Sequence, residues 1–406
     1  MTARSISATT GDAFASPGEG TQPAHWGGVY AMALCVFALI ASEFMPVSLL
    51  SPMAADLGVT EGLAGQGIAI SGAFAVLASL FIPVVAGRVD RKTLLLSLTA
   101  LMGLSGVIVA LAPGYPSYMV GRALIGVVVG GFWSMSAATA MQLVPAAEVP
   151  HALAIFNGGN ALAMVIAAPL GSTLAAVFGW RGAFFCLVPI ALAAFTWQWF
   201  SLPAMAASTG VLRSGNVFRL LRQRRVRLGM LAVGLFFMGQ FALFTYVRPF
   251  LETVTRVDVA TLSLILLAMG MAGFVGTVLI GRVLKAGFYR TLIVIPVVMS
   301  AIAVALTAVG PSVITTALLL AVWGLVATAA PVGWLIWVAR ALPLDAEAGG
   351  GLMVAVVQFS IGLGATVGGA LFDWNGPTGT FAVSAGLLLI AAVLVRSTAR
   401  SDTQPT

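Results

Sequence analysis

Apolar runs of about twenty residues recur along the whole chain, and no other feature of the sequence constrains the fold as strongly. A helix of about that length crosses a hydrocarbon core of about 30 Å. The composition agrees, because 60% of the 406 residues are hydrophobic and only 8% are charged. A water-soluble domain could not cover such a chain with polar surface. A membrane β-barrel would show alternating segments of about ten residues, so the unbroken runs predict an all-α integral membrane protein.

We predict twelve transmembrane helices from these runs. The predicted spans are 27–50, 62–86, 93–112, 116–143, 151–177, 182–202, 228–251, 259–281, 289–309, 312–340, 348–372 and 377–396.

Basic residues lie on one side of this predicted topology. With the N-terminus inside, 16 of the 20 Lys and Arg residues fall in cytoplasmic segments. Positive charge marks the cytoplasmic side, so we predict a multi-pass protein of the bacterial cytoplasmic (inner) membrane with both termini cytoplasmic. The net charge of +7 is then a topology signal, and we expect membrane lipids and no nucleic acid as partners. Residues 1–25 are predicted to be a disordered cytoplasmic tail, not a signal peptide.

The basic stretch "RSGNVFRLLRQRRVR" (213–227) divides the twelve spans into six and six. We therefore predict an N-terminal six-helix half (26–202), a basic cytoplasmic linker (203–227), a C-terminal six-helix half (228–396) and a cytoplasmic tail (397–406). Short matches support two pseudo-symmetric halves: "AGRVDRKTLLL" and "IGRVLKAGFYRTLIV" share Gly-Arg-Val 194 residues apart, Glu43-Phe44 matches Gln240-Phe241 197 residues apart, and "GFW" matches "VGW". Such repeats place a site at the midplane, and one chain with both halves predicts a monomer.

Glu43 is the one carboxylate in an otherwise uncharged run from Trp26 to Met53. An ionised carboxylate is costly inside a membrane, so such residues tend to face a cavity and to have a function. An acid whose exposure alternates between the two sides can load and release a proton, and we predict that Glu43 couples transport to protons. Ionised Glu43 is expected to favour the outward-facing form, which collects a proton. The alternative is a protonated carboxyl that only bonds to a neighbouring helix.

Arg122 is the second charged residue that falls within a predicted span of the N-terminal half. It is expected to pair with Glu43 or shift the pKa of that carboxyl, or else to extend toward the outer interface.

Several motifs carry a resemblance to a known family. "YMVGRALIGVVVGG" (118–131) is similar to the fourth-helix motif of proton-coupled members of the major facilitator superfamily, and "NALAMVIAAPLGS" (160–172) resembles its fifth-helix antiporter motif, with an alanine in place of one glycine. "SEFMPVSLLSPMAADLGVTEGLAGQ", "GGFWSMSA", "GQFALFTYVRPF", "PVGW" and "AVVQ" together resemble the bacterial purine ribonucleoside efflux pumps. The resemblance implies the major facilitator fold and export of inosine- or guanosine-like nucleosides in exchange for protons.

The same resemblance implies a gating role for the loop between the second and third helices. Gly87 stands where the family has an acidic residue, and Asp90 stands where it has a glycine. We predict that Asp90 beside Arg91 substitutes for the missing acid and that Arg88 acts with them.

A nucleoside needs aromatic faces for its base and amide or hydroxyl groups for its polar edges. The candidate substrate-binding residues are therefore polar or aromatic residues within spans: Asn157, Asn160, Gln240, Gln358, Trp133, Trp334, Phe241, Phe244 and Tyr246. Each amide is either a ligand contact or an interhelical bond, and an aromatic residue in a membrane helix is more often a packing residue. Arg248 is predicted to be interfacial first and a gate second, and Asp373 to be solvated.

Other function classes have little support. The chain lacks phosphate-loop, dinucleotide-binding and His-Glu-x-x-His motifs, and the two cysteines are predicted to pack in helices, so we expect no cofactor and no metal. "GLSG" (103–106) resembles the nucleophile pattern of intramembrane proteases, but both histidines lie far from Ser105. We therefore predict a transporter and not an enzyme. Sugar or multidrug proton-coupled efflux remains the closest alternative, followed by a passive facilitator.

Overall fold

The computed structural model describes residues 24–86, 89–205, 217–342 and 346–402. Arg88, residues 1–23 of the predicted N-terminal tail, residues 206–216 of the predicted linker and residues 403–406 of the predicted C-terminal tail lie outside these ranges. The helices are α1 (Trp26–Leu57), α2 (Glu61–Ala86), α3 (Arg91–Ala110), α4 (Tyr115–Leu143), α5 (Val149–Phe185), α6 (Leu187–Ser201), α7 (Val217–Leu220), α8 (Arg224–Phe244), α9 (Val247–Phe250), α10 (Val259–Ala286), α11 (Phe288–Val309), α12 (Val313–Ala327), α13 (Ala330–Ala341) and α14 (Ala346–Asp402), with a 3-10 helix at Ala146–Glu148 and a π-helical turn at Leu251–Thr255.

Ten continuous helical segments in the described ranges are long and apolar enough to cross a membrane. Two of them have 51 and 52 residues, more than twice the length that one crossing needs. The first breaks at Gly179 (φ 71°) and the second at Gly376 (φ 62°), left-handed conformations that glycine adopts without steric strain. Counting each broken segment as two crossings gives twelve and confirms the predicted all-α fold.

The seventh crossing differs from its predicted span, 228–251. It consists of α8 and the short α9, and the helix is interrupted at Thr245 and Tyr246. Pro249 explains the interruption, because it has no N–H to donate to the carbonyl oxygen four residues earlier. The hydropathy of this segment continues across the break, so the apolar run alone did not reveal it. The last helix also extends past the predicted end of the twelfth span, to Asp402.

The bundle has two chemically different ends. At one end, which we call the basic end, α1, α3, α8, α11 and α14 begin, and exposed Arg282, Lys285, Arg290 and Arg396 lie there. Backbone bonds tie this end together, for example from Arg91 N to Met205 O at 3.0 Å. The other end, the far end, carries the glycine turns at 58, 179 and 376. There the Arg181 side chain pairs with Asp56.

Close helix contacts build each half. Gly126 and Gly130 on α4 face the backbone carbonyls of Ser71 and Ala75 on α2, where a Cβ atom would collide with them. Small residues permit this approach between membrane helices.

A buried polar cluster also joins α1, α3 and α6. Thr99 Oγ1 donates to Gln198 Oε1 at 2.8 Å, and Cys35 Sγ lies 3.5 Å from Thr99 Oγ1. Cys35 is thus packed in a helix, as predicted.

Candidate substrate and proton site

Glu43 lies in the middle of α1 with 4% of its surface exposed. Its Oε1 accepts a hydrogen bond from Gln358 Nε2 on α14 at 3.1 Å. This bond joins the N-terminal half to the C-terminal half, because the two residues are 315 positions apart. The structure therefore brings together a predicted proton-coupling residue and a predicted substrate-binding residue.

Arg122 on α4 is 1% exposed and contacts the backbone of α1 at Glu43. Its guanidinium donates three hydrogen bonds, all to backbone carbonyls: Nη1 to Ser42 O at 2.6 Å, Nη2 to Glu43 O at 2.8 Å and Nε to Gly67 O at 3.1 Å. The predicted part of Arg122 in proton coupling stays a prediction. Arg122 does not extend to the interface, and its hydrogen bonds go to the Glu43 backbone instead of the carboxylate. Arg122 thus fixes the position of α1 against α2 and α4.

Pro46 explains why a carbonyl oxygen of α1 is available to Arg122. In an unbroken helix, the N–H of residue 46 would donate to the carbonyl oxygen of Ser42, but proline has no N–H. A buried carbonyl without a donor is costly, and the Arg122 guanidinium supplies the missing donor.

Next to Glu43, an aromatic group crosses between the halves. The rings of Phe44 and Phe241 lie 5.5 Å apart, and those of Phe241 and Phe244 lie 5.7 Å apart with an edge-to-face geometry. Gln240 precedes Phe241 on α8 and is 8% exposed, and its Oε1 has no hydrogen-bond partner among the described residues. A buried amide oxygen without a donor is uncommon, and a bound solute with an N–H or O–H group would satisfy it.

Two of the other predicted substrate residues are enclosed by protein. Trp334 is 2% exposed and packs against Phe236 inside the C-terminal half. Tyr246 is fully buried toward the far end, where its hydroxyl donates to Ala365 O at 2.7 Å and its ring stacks on Phe372. In this conformation both rings are covered by protein, and their predicted part in substrate binding stays a prediction.

Three predicted substrate residues remain more accessible. Trp133 on α4 and Asn160 on α5 are half-buried, and Asn157 is exposed, with its Nδ2 donating to Leu153 O at 2.9 Å. Their predicted role stays a prediction.

Asp90 and Arg91, the described residues of the predicted gate, hold local structure together. Asp90 Oδ1 caps α3 by accepting from Thr93 N at 3.0 Å, and its Oδ2 accepts from Met205 N at 2.9 Å. These contacts stay within the N-terminal half and the first residues of the predicted linker, whereas a gate needs contacts between the halves. Gating by Asp90 and Arg91 therefore remains a prediction for another conformation.

Arg248 forms a contact between the halves, although its sequence position suggested the membrane interface. It is 5% exposed, and its Nη1 donates to the backbone carbonyl of Ser48 on α1 and lies 3.4 Å from Ser172 Oγ on α5. Its Nε donates to Glu252 at 2.8 Å. The sequence did contain a signal, because Pro52 removes the N–H that would bond to Ser48 O, just as Pro46 does for Ser42.

Asp373 adds a second contact between the halves at the far end. It is exposed, as expected, but its carboxylate accepts from Thr60 Oγ1 at 2.6 Å and from Gly62 N at 3.0 Å, at the beginning of α2. Nearby, Thr366 Oγ1 donates to Gln66 Oε1 at 3.0 Å. Together with the Arg248 contact, these bonds close the bundle between the midplane and the far end.

No group of three or more His, Cys, Asp or Glu side chains that could hold a metal occurs within the described ranges. The chemistry available at the midplane is hydrogen bonding, proton exchange at one carboxyl group and stacking on phenylalanine rings.

The family profile of the Major Facilitator Superfamily matches residues 32–349, more than three quarters of the chain. The chain belongs to the major facilitator superfamily. It is a multi-pass membrane transporter and not an enzyme. Its twelve crossings and the Glu43–Gln358 contact between its halves fit the two-half architecture of this superfamily.

Two relatives cover nearly the whole of this major facilitator. The transcription regulatory protein OpdE of Pseudomonas aeruginosa is 64% identical over 94% of the chain and 95% of its own length. The purine ribonucleoside efflux pump NepI of Salmonella paratyphi B is 39% identical over 94% of the chain and 96% of its own length.

Solved structures show the same fold. A point mutant of the nucleoside transporter NupG superposes with a TM-score of 0.75, 14% identity and coverage of 91% of this chain and 98% of its own. A bacterial homologue of the human lysosomal transporter Spinster, inward-facing and occupied, gives a TM-score of 0.73 at 15% identity, covering 94% of this chain and 98% of its own.

Proposed function

We propose that this major facilitator exports purine ribonucleosides such as inosine and guanosine across the bacterial cytoplasmic membrane by proton antiport with alternating access. The observation that carries the proposal is the hydrogen bond between Glu43, a buried acid, and Gln358, an amide of the opposite half. The 39% identical relative, a purine ribonucleoside efflux pump, supports the substrate class. The basic end is the cytoplasmic end by the positive-inside rule, which places both termini inside.

The contacts between the halves support an inward-facing conformation. The cross-half bonds of Glu43, Gln66, Arg248 and Asp373 all lie between the midplane and the far end. With the far end outside, these bonds close the outer entrance, and the site is reached from the cytoplasm.

In this conformation, the Glu43–Gln358 bond prevents an empty carrier from reorienting. A hydrogen bond to an ionised carboxylate is roughly twice as strong as one between neutral groups. After Glu43 has released its proton to the cytoplasm, the ionised carboxylate therefore holds Gln358 firmly and keeps the halves together at the midplane.

Two events weaken this bond, and each permits one half of the transport cycle. Protonation of Glu43 removes the charge, and a nucleoside that accepts a hydrogen bond from Gln358 Nε2 removes the donor. The carrier then reorients with a proton or with a nucleoside, but not when empty, as exchange requires. Proton and nucleoside act on the same bond, so either ligand alone permits reorientation. This assignment differs from the sequence-based expectation in one respect, because ionised Glu43 holds the inward-facing form.

In this proposal the nucleoside binds beside the Glu43–Gln358 bond. The rings of Phe44, Phe241 and Phe244 offer apolar faces to a purine, and the unpartnered Oε1 of Gln240 accepts from a base N–H or a ribose hydroxyl. Sugars would use the amides without the rings, and apolar drugs would use the rings without the amides.

The name of the 64% identical relative concerns transcription, and the geometry supports transport for this chain. Outside the spans, the described part of the basic end contains a 3-10 helix of three residues and an α-helix of four, both too short to read a DNA groove. An effect on gene expression would follow from the concentration of the solute that the protein moves.

The test is nucleoside transport in proteoliposomes with an imposed pH gradient. Wild type is expected to accumulate inosine or guanosine against its gradient. Glu43→Gln is expected to lose this accumulation while still exchanging nucleoside for nucleoside, and Glu148→Gln, an exposed acid at the basic end, is the matched control. Full proton-driven accumulation by Glu43→Gln would refute the coupling role. Transport of sugars or drugs but not nucleosides would refute the substrate class alone.

A further inference from the structure

A groove of about 460 Å³ opens on the outer surface of the C-terminal half at the basic end. Its walls are α10 and α11, and α12 forms its floor. The lining includes Leu279 and Val283 from α10 and Arg290 and Val294 from α11. Leu279, Val283 and Val294 are 41%, 49% and 47% exposed, so the groove faces the surroundings of the bundle and not its interior.

The backbone explains the shape of this groove. On α10, Gly276 packs against the backbone carbonyl of Leu325, which brings α10 close to α12 and leaves no room for a side chain between them. Gly287 alone connects α10 to α11. The floor, α12, therefore lies close to α10. The other wall, α11, begins after a tight turn, and an apolar depression remains between the three helices.

The open end of the groove is basic. Arg290 is exposed and lines the groove, and exposed Arg282 and Lys285 lie in the last two turns of α10. Among the residues that the structure describes, Arg290 has no acidic partner. The hydroxyl of Thr291, the other polar group of the lining, already donates to Gly287 O at 2.7 Å. A guanidinium with five donors is thus available to an anion at the mouth of an apolar groove.

We propose that this groove binds an anionic phospholipid. One acyl chain lies along Leu279, Val283 and Val294, and the phosphate group contacts Arg290. The two parts of the site match the two parts of the ligand, since basic pockets between membrane helices bind anionic head groups and apolar surface within the bilayer binds acyl chains. A soluble phosphate would gain only the contact with Arg290, and a zwitterionic lipid would gain little from the excess positive charge.

Native mass spectrometry of the purified full-length chain in detergent tests the proposal. The probes are dipalmitoyl phosphatidylglycerol, phosphatidylcholine with the same acyl chains, and inorganic phosphate. Wild type is expected to retain phosphatidylglycerol with an affinity about fivefold above that for phosphatidylcholine, the effect expected of one basic residue near a membrane surface. Inorganic phosphate is expected not to bind.

Two variants separate the charge from the groove. Arg290→Gln should lower the affinity for phosphatidylglycerol to that for phosphatidylcholine, whereas Val283→Trp should fill the groove and weaken retention of both lipids. Arg396→Gln removes an exposed charge on α14, outside the groove, and should bind as wild type does. Equal retention of both lipids by wild type, unchanged binding by Arg290→Gln or Val283→Trp, or binding of inorganic phosphate as tightly as lipid would each overturn the proposal. The readout is independent of the transported solute.

Discussion

The guanidinium of Arg248 donates a hydrogen bond to the backbone carbonyl of Ser48, 200 residues earlier in the chain and in the other half of the bundle. Pro52 leaves that carbonyl without its helical donor, so the buried cation and the unbonded acceptor satisfy each other. The closure of the far end in this conformation therefore depends on an arginine of one half and a proline of the other.

Replacing Arg248 should open the far end. Loss of a buried charged donor removes about 1.5–3 kcal/mol of stabilisation, which corresponds to a shift of the conformational equilibrium by about tenfold or more. In an Arg248→Gln variant, electron spin resonance between labels at positions 111 and 374, which are strongly exposed, should show an enlarged population of long distances. Arg256→Gln, an exposed arginine in the same segment, is the control. An unchanged distance distribution would show that Arg248 does not hold the far end closed.

Pro52→Ala should have the same effect without removing any charge. Alanine restores the N–H that bonds to Ser48 O, and this intrahelical bond competes with Arg248. We expect a smaller shift than in Arg248→Gln, in the same direction, measured with the same pair of labels. Pro296→Ala, the same substitution in α11, should leave the distances unchanged. A shift toward shorter distances in Pro52→Ala would contradict the competition.

Gln358→Leu should produce a proton leak. Without the amide, ionised Glu43 no longer holds the halves together, and the empty carrier can reorient. Since a hydrogen bond to a charged group contributes about 1.5–3 kcal/mol, the leak should rise by about 10- to 100-fold. A pH-sensitive dye inside proteoliposomes measures it in the absence of nucleoside, with Gln223→Leu, at the exposed basic end, as control. If the variant leaked protons no faster than wild type, the Glu43–Gln358 bond would be a structural contact only.

Thr99→Val should lower stability but not coupling. The substitution removes the donor to Gln198 Oε1 in the cluster that joins α1, α3 and α6. Hydrogen bonds between membrane helices contribute about 1 kcal/mol, so the midpoint of thermal unfolding in detergent should fall by a small amount. The ratio of protons to nucleoside in the same variant should equal that of wild type, and a changed ratio would give this cluster a part in transport. Ser97→Val, exposed on the same helix, is the control.

The sequence predicted the fold well because a membrane span has a length and a composition that are visible in one dimension. It also singled out Glu43 and Gln358, since buried polar groups in apolar runs are rare and need partners. It could not tell which candidates share a surface. Trp334 and Tyr246 are aromatic, as a base-binding site requires. Each side chain nevertheless points into packed protein, which the sequence does not reveal. Hydropathy also gave no sign that the side chain of Arg248 points into the bundle, because its position near the end of a span suggested the membrane interface.

Arg122 and Arg248 share one more property: their acceptors on α1 are main-chain oxygens. A carbonyl oxygen is present whatever side chain the residue carries, so substitutions at positions 42, 43 and 48 leave both arginines their partners. The contacts that hold α1 in place are thus independent of the side chains that it carries. Relatives can exchange the side chains at these positions, while the two arginines, supported by Pro46 and Pro52, keep the helix in place.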